Sequence, residues 1–295
     1  MKSRSGLKKL ENSSATRPSL RNIANPFPID ANELRVLDPL GTSSASIYKR
    51  LLDGTYDRPF IVDNKRYRSL YLGLTYVQSV MSLTEPDVLS LRYTEMMASF
   101  LLFNLTPRHI AILGLGGGSL AKFCFHSLPD ATVDVIEIDP DVISLREYFH
   151  IPEDQERFRV IQGDAADYVA KAEESIDVLL ADAFDADGLA SSLSAQAFLL
   201  TAYNSLKKSG ILVMNLAGEE ARYTDLIEQA VDMFDGQLIV VPVHDDENQI
   251  LFAFKQKAFE PNWTKLTRRA RELKSRFNID FPQFVQAMER LSQEG

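Results

Sequence analysis

Two hydrophobic periodicities separate the first third of the chain from the rest. Between about residues 44 and 81, apolar and polar positions alternate, and an Asp63-Asn64 pair interrupts the alternation. Alternation around a turn dipeptide predicts short antiparallel hairpins. From residue 86 to residue 105 the apolar positions instead recur every three or four residues, which predicts a helix.

Beyond residue 105, five short apolar runs alternate with amphipathic segments. Near-continuous apolar strands that alternate with helices indicate a parallel sheet with helices on both faces, so a doubly wound α/β sheet is expected. The predicted strands are 110–113, 132–139, 158–164, 176–182 and 211–216, and the helices that follow them are 119–128, 140–149, 165–172, 194–206 and 221–234.

The last two apolar runs, residues 238–243 and 250–254, lie too close in sequence for a crossover helix between them. They are therefore predicted to pair as a terminal antiparallel hairpin. Five parallel strands followed by such a hairpin are typical of the class I methyltransferase-like fold rather than of the six-stranded dinucleotide-binding fold.

These patterns divide the chain into four predicted regions. Residues 1–28 are basic, polar and rich in serine, and are expected to form a disordered leader; binding of this segment to RNA or to a membrane surface is the alternative. Residues 29–85 are predicted to form a small N-terminal β unit, and residues 86–258 the α/β domain. Residues 259–295 are predicted to form a basic helical extension, broken near Pro282, that covers the core or forms an interface.

The composition narrows the classes of partner and chemistry. The 295 residues are 45% hydrophobic and carry a net charge of −9, which argues against binding of nucleic acid through its phosphates. Cys124 is the only cysteine, so neither an intramolecular disulfide nor a thiolate zinc cluster is expected, and no metal site is predicted. No secretory signal or membrane span is recognisable, and a cytoplasmic protein is expected.

A glycine-rich turn follows the first strand of the α/β domain and opens a helix. Such a turn lets the backbone approach a ligand closely, and the helix N-terminus offers unpaired N–H groups. The NAD-binding pattern G-x-G-x-x-G requires glycine where this chain has serine, so a different nucleoside cofactor is predicted. A tight turn without a ligand is the alternative. The residues concerned are Gly114, Gly116, Gly117, Gly118 and Ser119.

Acidic residues end the next two strands of the predicted sheet. Glu137 ends the second strand, where a carboxylate can accept hydrogen bonds from both ribose hydroxyls. Asp139, two residues further on, is the alternative for that role. Asp164 ends the third strand and, with neighbouring backbone amides such as that of Ala165, could bind the adenine amino group. The carboxyl ends of the strands therefore predict a nucleoside site.

The fourth strand is followed by Asp182 and Asp185 in the segment Asp-Ala-Phe-Asp-Ala-Asp-Gly. Two carboxylates at the same edge of the sheet could act as a general base and as a binding group for a cation. The alternative is a loop in which these side chains only cap a helix.

The chain resembles the polyamine aminopropyltransferases, the spermidine and spermine synthases, from about residue 64 to residue 255. The resemblance rests on Tyr93-x-Glu95-Met, Ile136-Glu-Ile-Asp-Pro, Gly163-Asp, Asp182-x-x-Asp185, Gln249-x-Leu-Phe-Ala-Phe and the N-terminal β unit. It implies a homodimer in which residues 86–258 bind decarboxylated S-adenosylmethionine and a small cationic amine, and Asp182 is the base. It further implies that Glu137 binds the ribose, Asp164 the adenine and Asp185 the acceptor amine, with Gln78 on the cofactor and Tyr93 and Glu95 on the substrate.

Two departures from the family pattern keep other functions open. The family turn reads G-G-G-D-G, in which the aspartate holds the aminopropyl ammonium group, whereas this chain reads Gly116-Gly-Gly-Ser119-Leu. The acceptor tyrosine of the family's P-T-Y-P-S-G segment is also missing; His244 could replace it on the substrate, and a surface-loop histidine without a role in binding is the alternative. The alternatives are a methyltransferase that uses intact S-adenosylmethionine on a small acceptor, and a nucleoside- or polyamine-binding protein without turnover.

Overall fold

The computed structural model describes residues 19–24, 33–38, 42–73, 77–185, 188–190, 192–193, 196–218, 223–243 and 248–294. The N-terminal part forms an antiparallel sheet of five strands that pair in chain order, with one helix between the second and third strands. These elements are β1 (Ser19–Ile23), β2 (Glu33–Asp38), α1 (Ser44–Leu52), β3 (Phe60–Asp63), β4 (Tyr67–Tyr71) and β5 (Val77–Ser82).

The predicted hairpin at Asp63-Asn64 is confirmed, because the Asn64 side chain accepts hydrogen bonds from the backbone N–H groups of Arg66 and Tyr67. Two other predictions for this part were wrong. Ser19–Ile23, inside the expected leader, forms β1 on the edge of the sheet. The segment Ser44–Leu52 is a helix rather than a strand, since Ile47 and Leu51, four residues apart, are its buried pair.

The larger sheet confirms the class I methyltransferase-like fold. Its seven strands run in the order β13-β14-β12-β9-β6-β7-β8, and β14 is antiparallel to both of its neighbours. The pairs among β12, β9, β6, β7 and β8 are parallel. The strands are β6 (His109–Leu113), β7 (Thr132–Glu137), β8 (Phe158–Gln162), β9 (Ile176–Ala181), β10 (Phe184–Asp185), β11 (Gly188–Leu189), β12 (Leu206–Ala217), β13 (Leu238–Val243) and β14 (Asn248–Phe254), of which β10 and β11 form a separate hairpin.

Helices cover both faces of the sheet, and several are shorter than the hydrophobic pattern predicted. The helix expected over 86–105 begins at Arg92 and continues as a 3₁₀ turn, Ala98–Leu102, and the helix expected over 140–149 likewise ends in a 3₁₀ turn, Arg146–Phe149. The helices are α2 (Arg92–Met97), α3 (Ser119–Ser127), α4 (Pro140–Ser144), α5 (Ala165–Lys171), α6 (Gln196–Ser205), α7 (Thr224–Met233), α8 (Trp263–Phe277) and α9 (Phe281–Glu294).

The C-terminal helices α8 and α9 cover the sheet, as expected. Leu266, Leu273, Phe284 and Met288 are buried in the same hydrophobic core as β6, β13 and β14. The break between the helices lies at Asn278, which adopts a left-handed conformation that ends α8, and not at Pro282. Pro282 instead lies in the first turn of α9, where a missing N–H costs nothing. Within the residues described, no helix is long and apolar enough to cross a membrane.

A buried lysine joins α3 to two loops behind the glycine turn. The Lys122 ammonium donates hydrogen bonds to the carbonyl oxygens of Pro86, at 2.5 Å, and Phe149, at 2.9 Å. Burial lowers the pKa of Lys122 to about 8, although the nearby Asp87 opposes the shift. Lys122 therefore fixes the position of Phe149, whose ring lies against Gly117.

We expect Lys122→Met to change how stability depends on pH. Because the folded-state pKa of Lys122 is lower than the reference value of about 10.4, the unfolded chain binds more protons between these values. The free energy of unfolding of the wild type should therefore rise relative to the variant as pH increases from about 8 to about 10.4. Denaturant titrations at several pH values measure this difference. The exposed Lys208→Met is the control, and a wild-type stability that falls relative to Lys122→Met in this window would contradict the prediction.

Candidate active site

A cavity of about 430 Å³ opens at the carboxyl ends of the parallel strands, beneath the N-terminal sheet and α2. Because parallel strands end at the same edge of a sheet, residues far apart in sequence meet there. The cavity is lined by most of the residues that the sequence predicted, namely Gln78, Tyr93, Gly114, Gly116, Gly117, Ser119, Glu137, Asp164, Ala165 and Asp182.

The glycine turn is held directly against the end of the neighbouring strand β9. Gly114 has a φ of +96°, and its N–H donates to the carbonyl oxygen of Ile136 at 2.8 Å. A Cβ atom at Gly114 would overlap the backbone carbonyl group of Asp182. A Cβ atom at Gly118 would lie 2.5 Å from Ile151, so this glycine serves packing behind the turn and does not line the cavity. Glycine is therefore required here by the turn and by the close approach of β9.

The side of the turn that faces the N-terminal sheet is neutral. Gly117 lies in the turn between β6 and α3, and Ser119 is the first residue of α3. A Cβ atom at Gly117 would lie 2.6 Å from the Ser79 hydroxyl. The Ser79 hydroxyl is also 3.4 Å from that of Ser119. Two hydroxyl groups thus lie close together on this side of the turn.

Glu137 links the second strand to the glycine turn. One of its carboxylate oxygens accepts a hydrogen bond from the N–H of Leu115 and the other from that of Asp139, both at 2.9 Å. Burial raises the pKa of Glu137, although these backbone hydrogen bonds oppose the shift. Asp139, the alternative for the ribose role, caps α4 through Asp141 N–H at 2.8 Å. The contact with the turn therefore favours Glu137.

Asp164 has a structural task as well as a place in the cavity. Its side chain caps α5 by accepting from the N–H groups of Ala166, at 2.7 Å, and Asp167, at 3.2 Å. The cap fixes the carboxylate at the start of the helix, beside Ala165, which also lines the cavity. A ligand at this end of the cavity would meet the Asp164 carboxylate and the adjacent Ala165.

Asp182 lies at the centre of a small hydrogen-bond network at the end of β9. Its Oδ1 accepts from Asn215 Nδ2 at 2.9 Å, and its Oδ2 accepts from the Tyr93 hydroxyl at 3.4 Å. Asn248 in turn donates to Asn215 Oδ1 at 2.7 Å. Burial raises the pKa of Asp182 to about 6, although the bonds from Asn215 and Tyr93 oppose the shift. A carboxylate with this pKa is a stronger proton acceptor than an exposed one and is still mostly ionised at pH 7.

Sequence reasoning missed Asn215 and Asn248, although a signal was present. Both are polar residues at the ends of otherwise apolar strands, and strand pairing places Asn215 opposite Ile250, two residues from Asn248. The pairing of Met214 with Ala181 likewise puts Asn215 beside Asp182. Only the strand order β14-β12-β9, which the sequence did not provide, brings these three residues together.

The structure does not bring every predicted residue to the cavity. Glu95 forms an ion pair with Arg92 at 2.8 Å and is absent from the described lining. Asp185 pairs with Gly188 in the β10–β11 hairpin, but its side chain lies outside the described residues, as does all of His244. Among the residues that the structure describes, no group of three or more His, Cys, Asp or Glu side chains could hold a metal ion.

We expect Gly114→Ala to destabilise the protein by about 1–3 kcal/mol, because the methyl group would displace the end of β9 and impose a positive φ on alanine. Urea titration of the free energy of unfolding measures the effect. Gly73→Ala is the matched control, since a Cβ atom there has no neighbour within 4 Å. Equal stabilities of the two variants would show that the turn tolerates a side chain.

The sheet order and the glycine turn define a Rossmann-like methyltransferase fold, with a cavity at the acidic ends of its strands. The residues 90–237 match the model of the spermine/spermidine synthase domain family. A polyamine aminopropyltransferase from Chromobacterium violaceum is 36% identical over 235 residues, which span 79% of this chain and 90% of that protein. The chain therefore belongs to the spermine/spermidine synthase family and is a transferase.

Three solved structures share the fold. A probable spermidine synthase from Corynebacterium glutamicum has a TM-score of 0.62 and 20% identity, over 80% of this chain and 92% of that one. A spermidine synthase in complex with the transition-state analogue AdoDATO has a TM-score of 0.57 and 19% identity, over 78% and 80% of the two chains. Human methyltransferase-like protein 13 in complex with SAH has a TM-score of 0.55 and 21% identity, over 70% and 94%.

Proposed function

We propose that the protein transfers the aminopropyl group of decarboxylated S-adenosylmethionine to a diamine or polyamine, with Asp182 as general base. The observation that carries the proposal is the charge of the cavity. Glu137, Asp139, Asp164 and Asp182 line it, and no lysine, arginine or histidine is found among its described lining residues. Such a cavity attracts polycations. The decarboxylated cofactor, with its sulfonium and ammonium groups, and a protonated diamine are both polycations.

An S-adenosyl cofactor fits the polar groups along the strand ends. The complexes of two fold relatives with AdoDATO and with SAH support this class of cofactor. In the proposal, Glu137 accepts hydrogen bonds from the ribose, because each of its oxygens uses only one lone pair for a backbone N–H. Asp164 and the adjacent Ala165 N–H bind the adenine, and Gln78 and the glycine turn contact the rest of the nucleoside.

The reaction requires an unprotonated acceptor amine, and it requires no general acid for the leaving group. The acceptor nitrogen attacks the carbon next to the sulfonium; the C–N bond forms, the C–S bond breaks, and its electron pair goes to sulfur. Methylthioadenosine leaves as a neutral thioether, so no proton is needed on the leaving group. Freeing an amine of pKa near 10.4 at pH 7 costs about 4.6 kcal/mol. Asp182 accepts that proton, and its negative charge favours the cationic reactants.

In the proposal, fewer side chains bind the acceptor amine than the family resemblance implied. Tyr93, whose hydroxyl contacts Asp182, lies beside the reacting amine in the proposal, and Asp185 and His244 bind its distal end. Glu95 has no part in it, because its carboxylate is paired with Arg92.

The first test is product release. Incubation with decarboxylated S-adenosylmethionine and putrescine should release methylthioadenosine, and Asp182→Asn should lower kcat by about 10²–10⁴, the usual contribution of a general base. Because Asp182 acts in its ionised form, kcat/KM should fall as pH decreases through about 6. Asp130→Asn, an exposed site away from the cavity, is the control. Full activity of Asp182→Asn would exclude this residue as the base.

Methyl transfer from intact S-adenosylmethionine is the second candidate, and one observation favours it. The turn bears no acid at Gly117 or Ser119, and the Ser79 and Ser119 hydroxyls replace the group that would repel the carboxylate of the intact cofactor. Hydroxyl groups can bind either an ammonium or a carboxylate. The acidity of the remaining cavity weighs against this candidate, since the intact cofactor's carboxylate would meet no cation among the described lining residues.

Calorimetric binding of the two cofactors separates the candidates. We expect the decarboxylated cofactor to bind about tenfold or more tightly than the intact one, because the cavity's carboxylates repel a further negative charge. Ser119→Asp should widen this ratio by adding an acid near the turn. Tighter binding of the intact cofactor, together with release of S-adenosylhomocysteine and no methylthioadenosine across a panel of diamines, would favour methyl transfer.

A further inference from the structure

We propose that Asn248, the first residue of β14, is a positioning residue that acts through Asn215 to orient the Asp182 carboxylate and keep it ionised. The proposal rests on the function proposed above, in which Asp182 is the base. Its physical basis is a chain of three side chains across three neighbouring strands: Asn248 donates to Asn215, and Asn215 donates to Asp182.

The register of the strands places all three side chains on one face of the sheet. Asn215 lies opposite Ile250 in the β12–β14 pair, so it is a diagonal neighbour of Asn248. In the parallel β12–β9 pair, Met214 lies beside Ala181. The next residues along the two strands, Asn215 and Asp182, are therefore neighbours as well. Asn215 and Asn248 are both buried, so water cannot readily replace a lost hydrogen bond.

The direction of the hydrogen bonds explains why two amides are needed. An asparagine side chain has a donor and an acceptor end, and Asp182 as a carboxylate needs the donor. The amide of Asn215 could also turn by half a rotation and present its oxygen to Asp182. Asn248 opposes that orientation, because its Nδ2 donates to Asn215 Oδ1 at 2.7 Å and turning Asn215 alone would bring two N–H donors together. Asn248 thus decides which end of Asn215 faces the base.

The surroundings of Asp182 make this hydrogen bond important for its ionisation. In the described chain its only titratable contact is Tyr93, at 3.4 Å, and no lysine, arginine or histidine contacts it. The other acids that line the cavity, Glu137, Asp139 and Asp164, would only oppose ionisation. Burial raises the pKa of Asp182, and the Asn215 bond opposes that shift. Without the bond the base would be protonated at a higher pH.

The test compares the pH dependence of four variants with that of the wild type. Asn248→Asp keeps the shape but replaces the donor by an acceptor, so the Asn215 amide should turn and present its oxygen to Asp182. We expect this to move the acidic limb of the pH profile, where kcat/KM falls as Asp182 becomes protonated, upward by about one pH unit. At a fixed pH on that limb, the activity should be roughly tenfold lower. Asn215→Leu should cause a shift of similar size, and Asn248→Ala a smaller one in the same direction. Gln249→Glu, which adds the same charge on the opposite face of β14, should leave the limb in place.

A second readout does not depend on turnover. The Asp182 carboxyl can be titrated by ¹³C NMR in protein labelled at aspartate, with its signal assigned by comparison with Asp182→Asn. If the wild type releases no methylthioadenosine but Asn248→Asp and Asn248→Ala still raise the titration midpoint of Asp182, the relay stands and the proposed reaction fails. If product is released and neither Asn248 variant moves the limb or the midpoint, the relay is overturned. Thermal unfolding identifies a variant that does not fold, in which case Asn248→Ala and Asn215→Leu decide the question.

Discussion

The site depends on one backbone contact, the approach of the glycine turn to the end of β9. Gly114 has room for no side chain because the carbonyl group of Asp182 occupies the place of its Cβ atom. Gly114 also bonds through its N–H to Ile136 on the other side. The turn is therefore held between β7 and β9, and the residues that end these strands, Glu137 and Asp182, have fixed positions relative to it. A nucleoside that contacts the turn must meet both acids.

Some of the remaining polar side chains hold the backbone in place and some face the cavity, and several do both. Asp164 caps α5 while it lines the cavity, and Glu137 bonds to two backbone N–H groups while its carboxylate stays accessible. Lys122 only holds the backbone in place, since its hydrogen bonds fix Phe149 behind Gly117. Charges of the two signs are thus separated: the described cavity is lined by acids, and this buried cation supports the turn from outside it.

The sequence was sufficient to predict the fold and the strand-end acids, because hydrophobic periodicity and glycine report on local backbone geometry. It failed where a side chain's role depends on a distant partner. Asn215 contacts Asp182 only because β12 lies next to β9, and Glu95 forms an ion pair with Arg92 and is absent from the described lining of the cavity. The helix at Ser44–Leu52 was missed because its two buried residues are too few to show a period. The homodimer, and the roles of the individual site residues in binding and catalysis, stay predictions.

The partners of Asp182 are neutral, which suits a base better than a cation would. A lysine or arginine at its side would lower its pKa and make it a weaker proton acceptor. Burial alone would raise the pKa further and leave less of the residue ionised at neutral pH. Two uncharged donors, Asn215 and Tyr93, restrain the effect of burial without cancelling it, and the pKa lies at about 6. No lysine, arginine or histidine is found among the described residues that line the cavity, so its acidic charge would be available to the cationic substrate proposed above.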